Sequence, residues 1–129
     1  MRKVAVLGIG QIPVDEHWEK SVRHLAGDAA ITAIADAHFE PTAVESLYVG
    51  NMLSGSLNKQ ESLAALIADW VGLRGIEASK IEAACGSGAA AFRSGVMMVA
   101  DPINLLDASP IGDGAAAIVL CPAEKIRRN

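Results

Sequence analysis

The chain has 129 residues, with 15 acidic against 11 basic side chains and a formal net charge of −4. That length suits one domain, and the charge balance excludes the broad positive field that nucleic acid or an anionic membrane would attract. Half of the residues (51%) are apolar but only 4% are aromatic, so the apolar mass is Ala, Val, Ile and Leu, which suits closely packed helices on a buried sheet. Cys85 and Cys121 alone make no disulfide framework. The apolar run after Met1-Arg2-Lys3 is too short for a signal peptide, and there is no stretch of about 20 apolar residues to span a membrane. The expectation is a cytoplasmic protein.

In chain order, Val4 to Leu7 reads as a buried parallel strand that leaves through a Gly8-Ile9-Gly10 turn. Ser21 is a helix N-cap, and Val22, Leu25, Ala26, Ala29, Ala30, Ala33 and Ile34 fall on one face of a helix over 21–37. A second strand covers Ser46 to Gly50, and Asn51 to Leu57 is a polar loop. Gln60 to Val71 is helical, with Leu63, Leu66, Ile67 and Trp70 as its stripe, and Gly72 ends it. A third strand covers Ser79 to Ala84, a small-residue helix Cys85 to Ala100, and a last apolar strand Gly114 to Cys121. This alternation predicts an α/β fold, a mixed and mostly parallel sheet with helices on both faces. The whole chain, 1–129, reads as a single domain. Asp101 to Pro110 is too short and proline-broken to hold a strand and its crossover, so the order of elements skips something near 100–101.

The chemistry concentrates in Glu82-Ala83-Ala84-Cys85-Gly86-Ser87-Gly88. A cysteine where a strand enters a helix meets N–H groups without partners and the positive end of the helix dipole. Both favour a nucleophilic thiolate that attacks thioesters, and the same N–H groups stabilise an oxyanion. Gly86, Ser87 and Gly88 keep bulk away from it. The bland alternative is a small buried thiol in an alanine-rich packing seam. His17, His24 and His38 read as solvated or helix-end residues, Cys121 as structural, and no spacing suggests a metal site. Gly8-Ile9-Gly10 is a partial dinucleotide fingerprint, but Pro13 stands where the third glycine belongs.

The Cys85 segment resembles the nucleophile segment of thiolases, in the branch of sterol-carrier-protein thiolase and archaeal acetyl-CoA acetyltransferases. Lys3 to Gly10, Ser46 to Met52, Gln60 to Leu73 and Leu106 to Ala117 are similar to further family segments in the same order. The resemblance implies a thiolase-like N-terminal core, truncated, in which Cys85 carries an acyl group and its own N–H serves as an oxyanion donor. It implies acyl-CoA and CoA as substrates, with no bound cofactor and no metal, and pairing with a second copy or a related chain through 79–84. It also implies that a strand and the CoA-contacting loop domain are missing near 100–101, and that the C-terminal half, which carries the activating His, is absent. Two alternatives stand beside the acyltransferase: a catalytically inactive remnant of the fold, and an interaction or dimerisation module.

Overall fold

The structure is a computed structural model and describes residues 3–100 and 115–125. Its order is β1 (Val4–Ile12), α1 (Val22–Asp36), β2 (Ser46–Gly50), α2 (Ser54–Asn58), α3 (Leu63–Val71), β3 (Glu77–Ile81), α4 (Ser87–Ala100) and β4 (Ala115–Pro122), with short 3₁₀ turns at Pro41–Ala43 and Ala123–Lys125. The join near 100–101 and the stretch from Asp101 to Gly114 lie outside the described residues.

β1 does not end at its glycines. It continues to Ile12 and pairs antiparallel with β4, from Val4 opposite Pro122 to Ile12 opposite Ala115. The glycines are there because α1 lies flush on the strand. A Cβ on Gly10 would stand 2.1 Å from the Ala29 carbonyl oxygen, and one on Gly8 would stand 2.3 Å from that of Ala33. Both are far inside ordinary contact, so the glycines serve close packing and not a turn. The same geometry removes the dinucleotide reading, since both glycines sit inside a strand. The Ile9 N–H reaches Asp36 on α1 (2.9 Å), beside an irregularity of register between Val6 and Gly8.

Ser21 is the N-cap of α1, as expected. The Ser21 N–H and hydroxyl both meet His24 Nδ1, at 3.3 and 3.0 Å. α3 begins at Leu63, later than the sequence suggests, because Ser54–Asn58 forms a turn of helix of its own. The Asn51 carboxamide oxygen accepts the Ser54 N–H (2.7 Å), which starts that helix. α3 closes on Gly72 at φ 83°, where Gly72 N–H bonds Asp69 and Leu73 N–H bonds Ala68. That pair of bonds is the common glycine-terminated helix end. Leu73 then folds back into the core with Ile34 and Ala68, and Val119 packs against this cluster. Trp70 leaves the expected core stripe. It is 46% exposed and lies edge-on to His24 and under Arg23.

The described strands do not form one sheet. β1 pairs with β4 antiparallel and β2 with β3 parallel, as two separate two-stranded ladders. The mostly parallel sheet is therefore corrected to a mixed pair of ladders, half of it antiparallel. α1 covers one face of the β1–β4 ladder, whereas α4 reaches only part of the other, where Ile9 and Ile118 stay exposed. Residues along a strand alternate in direction. Val119 joins the α1–α3 core cluster, while a Cβ on Gly95 of α4 would stand 3.1 Å from the neighbouring residue Leu120. Between the ladders lies a cavity of about 2000 Å³, lined by β2, β4 and parts of α1 and α4. β2 and β4 face it without hydrogen-bonding each other. A two-stranded ladder alone is marginal, so the helices that touch both ladders hold this arrangement together.

Candidate functional site

The turn between β3 and α4 carries the one stretch of chemistry that the sequence singles out. β3 spans Glu77–Ile81 and α4 begins at Ser87. Cys85 is therefore neither the end of a strand nor the first residue of a helix. It stands in a turn, and Ala90 N–H to Gly86 O is the first helical bond after it. The segment 79–84, expected to be strand throughout, is strand only to Ile81. Ala84 is forced to φ 47°, a left-handed conformation that costs a non-glycine residue about 1–2 kcal/mol. Such a bend turns the backbone sharply from strand to helix.

The N–H groups of this turn can be followed one by one. Ala83 N–H goes to Ser87 Oγ at 2.9 Å and Ala84 N–H to Glu82 Oε1 at 2.9 Å. Gly86 N–H goes to Ala83 O at 2.9 Å and Ser87 N–H to Ala84 O at 3.2 Å. Cys85 N–H alone makes no hydrogen bond among the described residues. The Cys85 side chain is half-buried and not in a disulfide, and the residue lines the large cavity together with Ala84, Ser87 and Gly88. A sulfur and an open N–H thus belong to one residue on a cavity wall, at the positive end of a 14-residue helix. A thiol in such a setting can act as a nucleophile, and an unbonded N–H of the same residue can donate to an oxyanion.

Two residues hold this turn in ways the sequence did not reveal: Ser87, read there only as sparing bulk beside Cys85, and Gly50, read only as the end of a strand. Ser87 is 4% exposed. Its hydroxyl accepts from Ala83 N–H and donates to Ala84 O at 2.7 Å. Gly50 at the end of β2 lies flush against the head of α4, where a Cβ would stand 2.2 Å from the Ser87 carbonyl oxygen. The signals were present in the serine between two glycines and in the glycine closing a strand, but only the fold shows that they meet.

None of the histidines hydrogen-bonds Cys85. His17 Nε2 lies 2.8 Å from the Pro13 carbonyl, His24 caps α1, and His38 is exposed just past α1 at φ 54°. His17 and His38 face the same cavity as Cys85. Cys121 is buried, and its Sγ lies 3.2 Å from the Pro122 carbonyl. Among the described residues there is no cluster of His, Cys, Asp or Glu that could hold a metal, and no helix is long and apolar enough to cross a membrane.

Strand-to-helix order, two small ladders with helices packed on them and a cysteine turn at the head of α4 define a small α/β chain. The chain belongs to the thiolase family: the profile of the family's N-terminal domain matches residues 5–104. Over 100 residues it is 46% identical to the acetyl-CoA acetyltransferase of Methanothermobacter thermautotrophicus, covering 78% of this chain and 26% of that protein. The chain therefore spans about a quarter of the length of the curated relatives it matches. Its fold is shared with the acetyl-CoA acetyltransferase of Syntrophomonas wolfei (TM-score 0.69, 19% identity, 77% of this chain and 26% of that one). It is shared also with the priming β-ketosynthase of the R1128 polyketide pathway (TM-score 0.71, 17% identity, 95% of this chain and 51% of that one).

Proposed function

We propose that the chain is the nucleophile-bearing part of a thiolase-type acyltransferase, in which Cys85 takes an acyl group from acyl-CoA. The observation that carries this reading is the open Cys85 N–H beside its own sulfur, in a turn whose other N–H groups are all taken. Family membership and the name of the Methanothermobacter relative support the substrate class. In the step, Cys85 Sγ gives its proton to solvent water and the thiolate attacks the thioester carbonyl. The oxyanion of the tetrahedral intermediate accepts the Cys85 N–H. The carbon–sulfur bond to CoA then breaks, CoA leaves as its thiolate and takes up a proton, and the acyl group remains on Cys85.

The condensing half-reaction needs a base to take a proton from a second acyl-CoA. None of the three histidines is bonded to Cys85 among the described residues, and in this reading that base is supplied by a partner chain or by sequence beyond this domain. β3 pairs only with β2 among the described residues, and its outer edge is where a second copy or a relative would add. A reducing compartment such as the cytoplasm suits a thiol that must stay reduced to be acylated.

The specific observation favouring the inactive-remnant reading is that none of the histidines hydrogen-bonds Cys85 among the described residues. One experiment separates the two: intact mass after incubation with acetyl-CoA, with Cys85→Ala as control. An acetyl adduct that the control lacks is the expected result. A wild-type chain that stays unmodified while a small alkylating agent still reaches Cys85 refutes the acyltransferase reading for the chain alone.

A further inference from the structure

We infer that Ser87 and Gly50 are positioning residues that keep the Cys85 N–H open and aimed, an inference that rests on the acyl-transfer reading above. The turn from Ala83 to Ser87 has five N–H groups, and four are consumed internally. Ser87 Oγ consumes one of them directly, from Ala83, and its proton goes to the carbonyl of Ala84. These two bonds grip the backbone on both flanks of the left-handed residue Ala84, whose conformation an alanine does not adopt without such restraint. Without the hydroxyl, Ala84 can relax to an ordinary helical or extended φ. The next peptide plane, which carries the Cys85 N–H, would rotate with it.

Gly50 restrains the other side. The head of α4 sits so close to β2 that a methyl group at Gly50 would lie 2.2 Å from Ser87 O and 2.6 Å from Gly88 Cα. These are backbone atoms and cannot swing aside, so the helix head must move. The two devices share no hydrogen bond and can be broken separately.

An oxyanion donor matters to attack on a thioester, which passes through a tetrahedral oxyanion, and not to displacement on an alkyl halide, which does not. The test therefore compares two reactions at one sulfur. The full chain is treated with acetyl-CoA or phenyl thioacetate, and separately with iodoacetamide, and modification of Cys85 is followed by site-resolved mass spectrometry. In Ser87→Ala and in Gly50→Ala, acylation is expected to slow by about 10- to 100-fold, with alkylation within about twofold of wild type. Ser87→Thr, which keeps the hydroxyl, is expected to recover most of the acylation rate. A circular-dichroism melt of each variant identifies any that do not fold.

Equal acylation in wild type and Ser87→Ala overturns the inference and leaves the acyl-transfer reading intact. So does a parallel loss of both reactions in folded Ser87→Ala and Gly50→Ala, which marks a structural role alone. If Ser87→Ala does not fold, folded Gly50→Ala decides by the same comparison, and Ser87→Thr tests the hydroxyl's place. A wild-type chain that is alkylated but takes no acyl group from either thioester sinks the acyl-transfer reading itself.

Discussion

The flush contact of β1 on α1 makes the Gly10→Ala substitution informative. The added Cβ would lie 2.1 Å from Ala29 O, 2.6 Å from Ala33 N and 3.0 Å from Thr32 Cβ. Ordinary contact begins near 3.4 Å, so the helix axis must retreat by about 1 Å along the glycine face. Ala29 and Ala33 are each 1% exposed and would lose their contact with the strand. Overpacking a core typically costs about 1–3 kcal/mol. Because the obstacles are backbone atoms, the upper end of that range is expected, near 3 kcal/mol. For a domain of this size that lowers Tm by about 12 °C or more. Gly88→Ala is the matched control. Nothing lies within 4 Å of its Cβ position, so the same chemical change in the first turn of α4 is expected to change stability by no more than about 0.5 kcal/mol. Urea melts followed by far-UV circular dichroism measure both. A Gly10→Ala loss below about 1 kcal/mol would show that β1 and α1 do not pack as described.

Two further perturbations test other parts. Tyr48 is the one tyrosine of the chain; burial first, and the neighbouring Glu77 charge second, raise its pKa above 10.0. A raised tyrosine pKa favours the neutral phenol in the folded state, so its stabilising contribution is full below pH 10 and is lost as pH rises above it. Absorbance titration of the phenolate should show a late midpoint, and Tyr48→Phe should flatten the alkaline fall in stability; a midpoint at or below 10 contradicts the contact with Glu77. Ile67 is 1% exposed, and Ile67→Ala should cost about 2–5 kcal/mol in the same urea melts, whereas Ile31→Ala, on the exposed side of α1, should change little.

How far the sequence revealed this arrangement depends on the kind of signal each element carries. α1 was legible to within a residue because a serine cap and a seven-member apolar stripe agree on it. β1 was cut short because Gly-Ile-Gly is also what a turn looks like; only the presence of α1 above it distinguishes a glycine that bends from one that lets a helix approach. α2 was hidden by its Ser and Asn content, which local side-chain bonding such as that of Asn51 turns into a helix start. The direction of β4 was not legible at all, since an apolar run reads the same in a parallel or antiparallel ladder. That Cys85 lies between a strand and a helix was legible, but not the turn of several residues that separates it from both. Nor were the hydroxyl bonds of Ser87, because they join residues through a backbone bend that composition does not encode.

The pairing of β1 with β4 also has a consequence for how the chain comes off the ribosome. Val4 finds its partner at Pro122, so the first strand is made 118 residues before the residue that completes its ladder. At typical synthesis rates of about 5–20 residues per second, that wait lasts roughly 6 to 24 seconds. β2 and β3 close their ladder over a shorter separation, Ser46 to Glu77. During the interval β1 has only α1 to lean on, and its Val and Ile residues are open to whatever meets them. The half of the molecule that holds the cysteine turn can therefore assemble while the nascent chain is still growing, and the half that holds the first strand is the part a chaperone would meet.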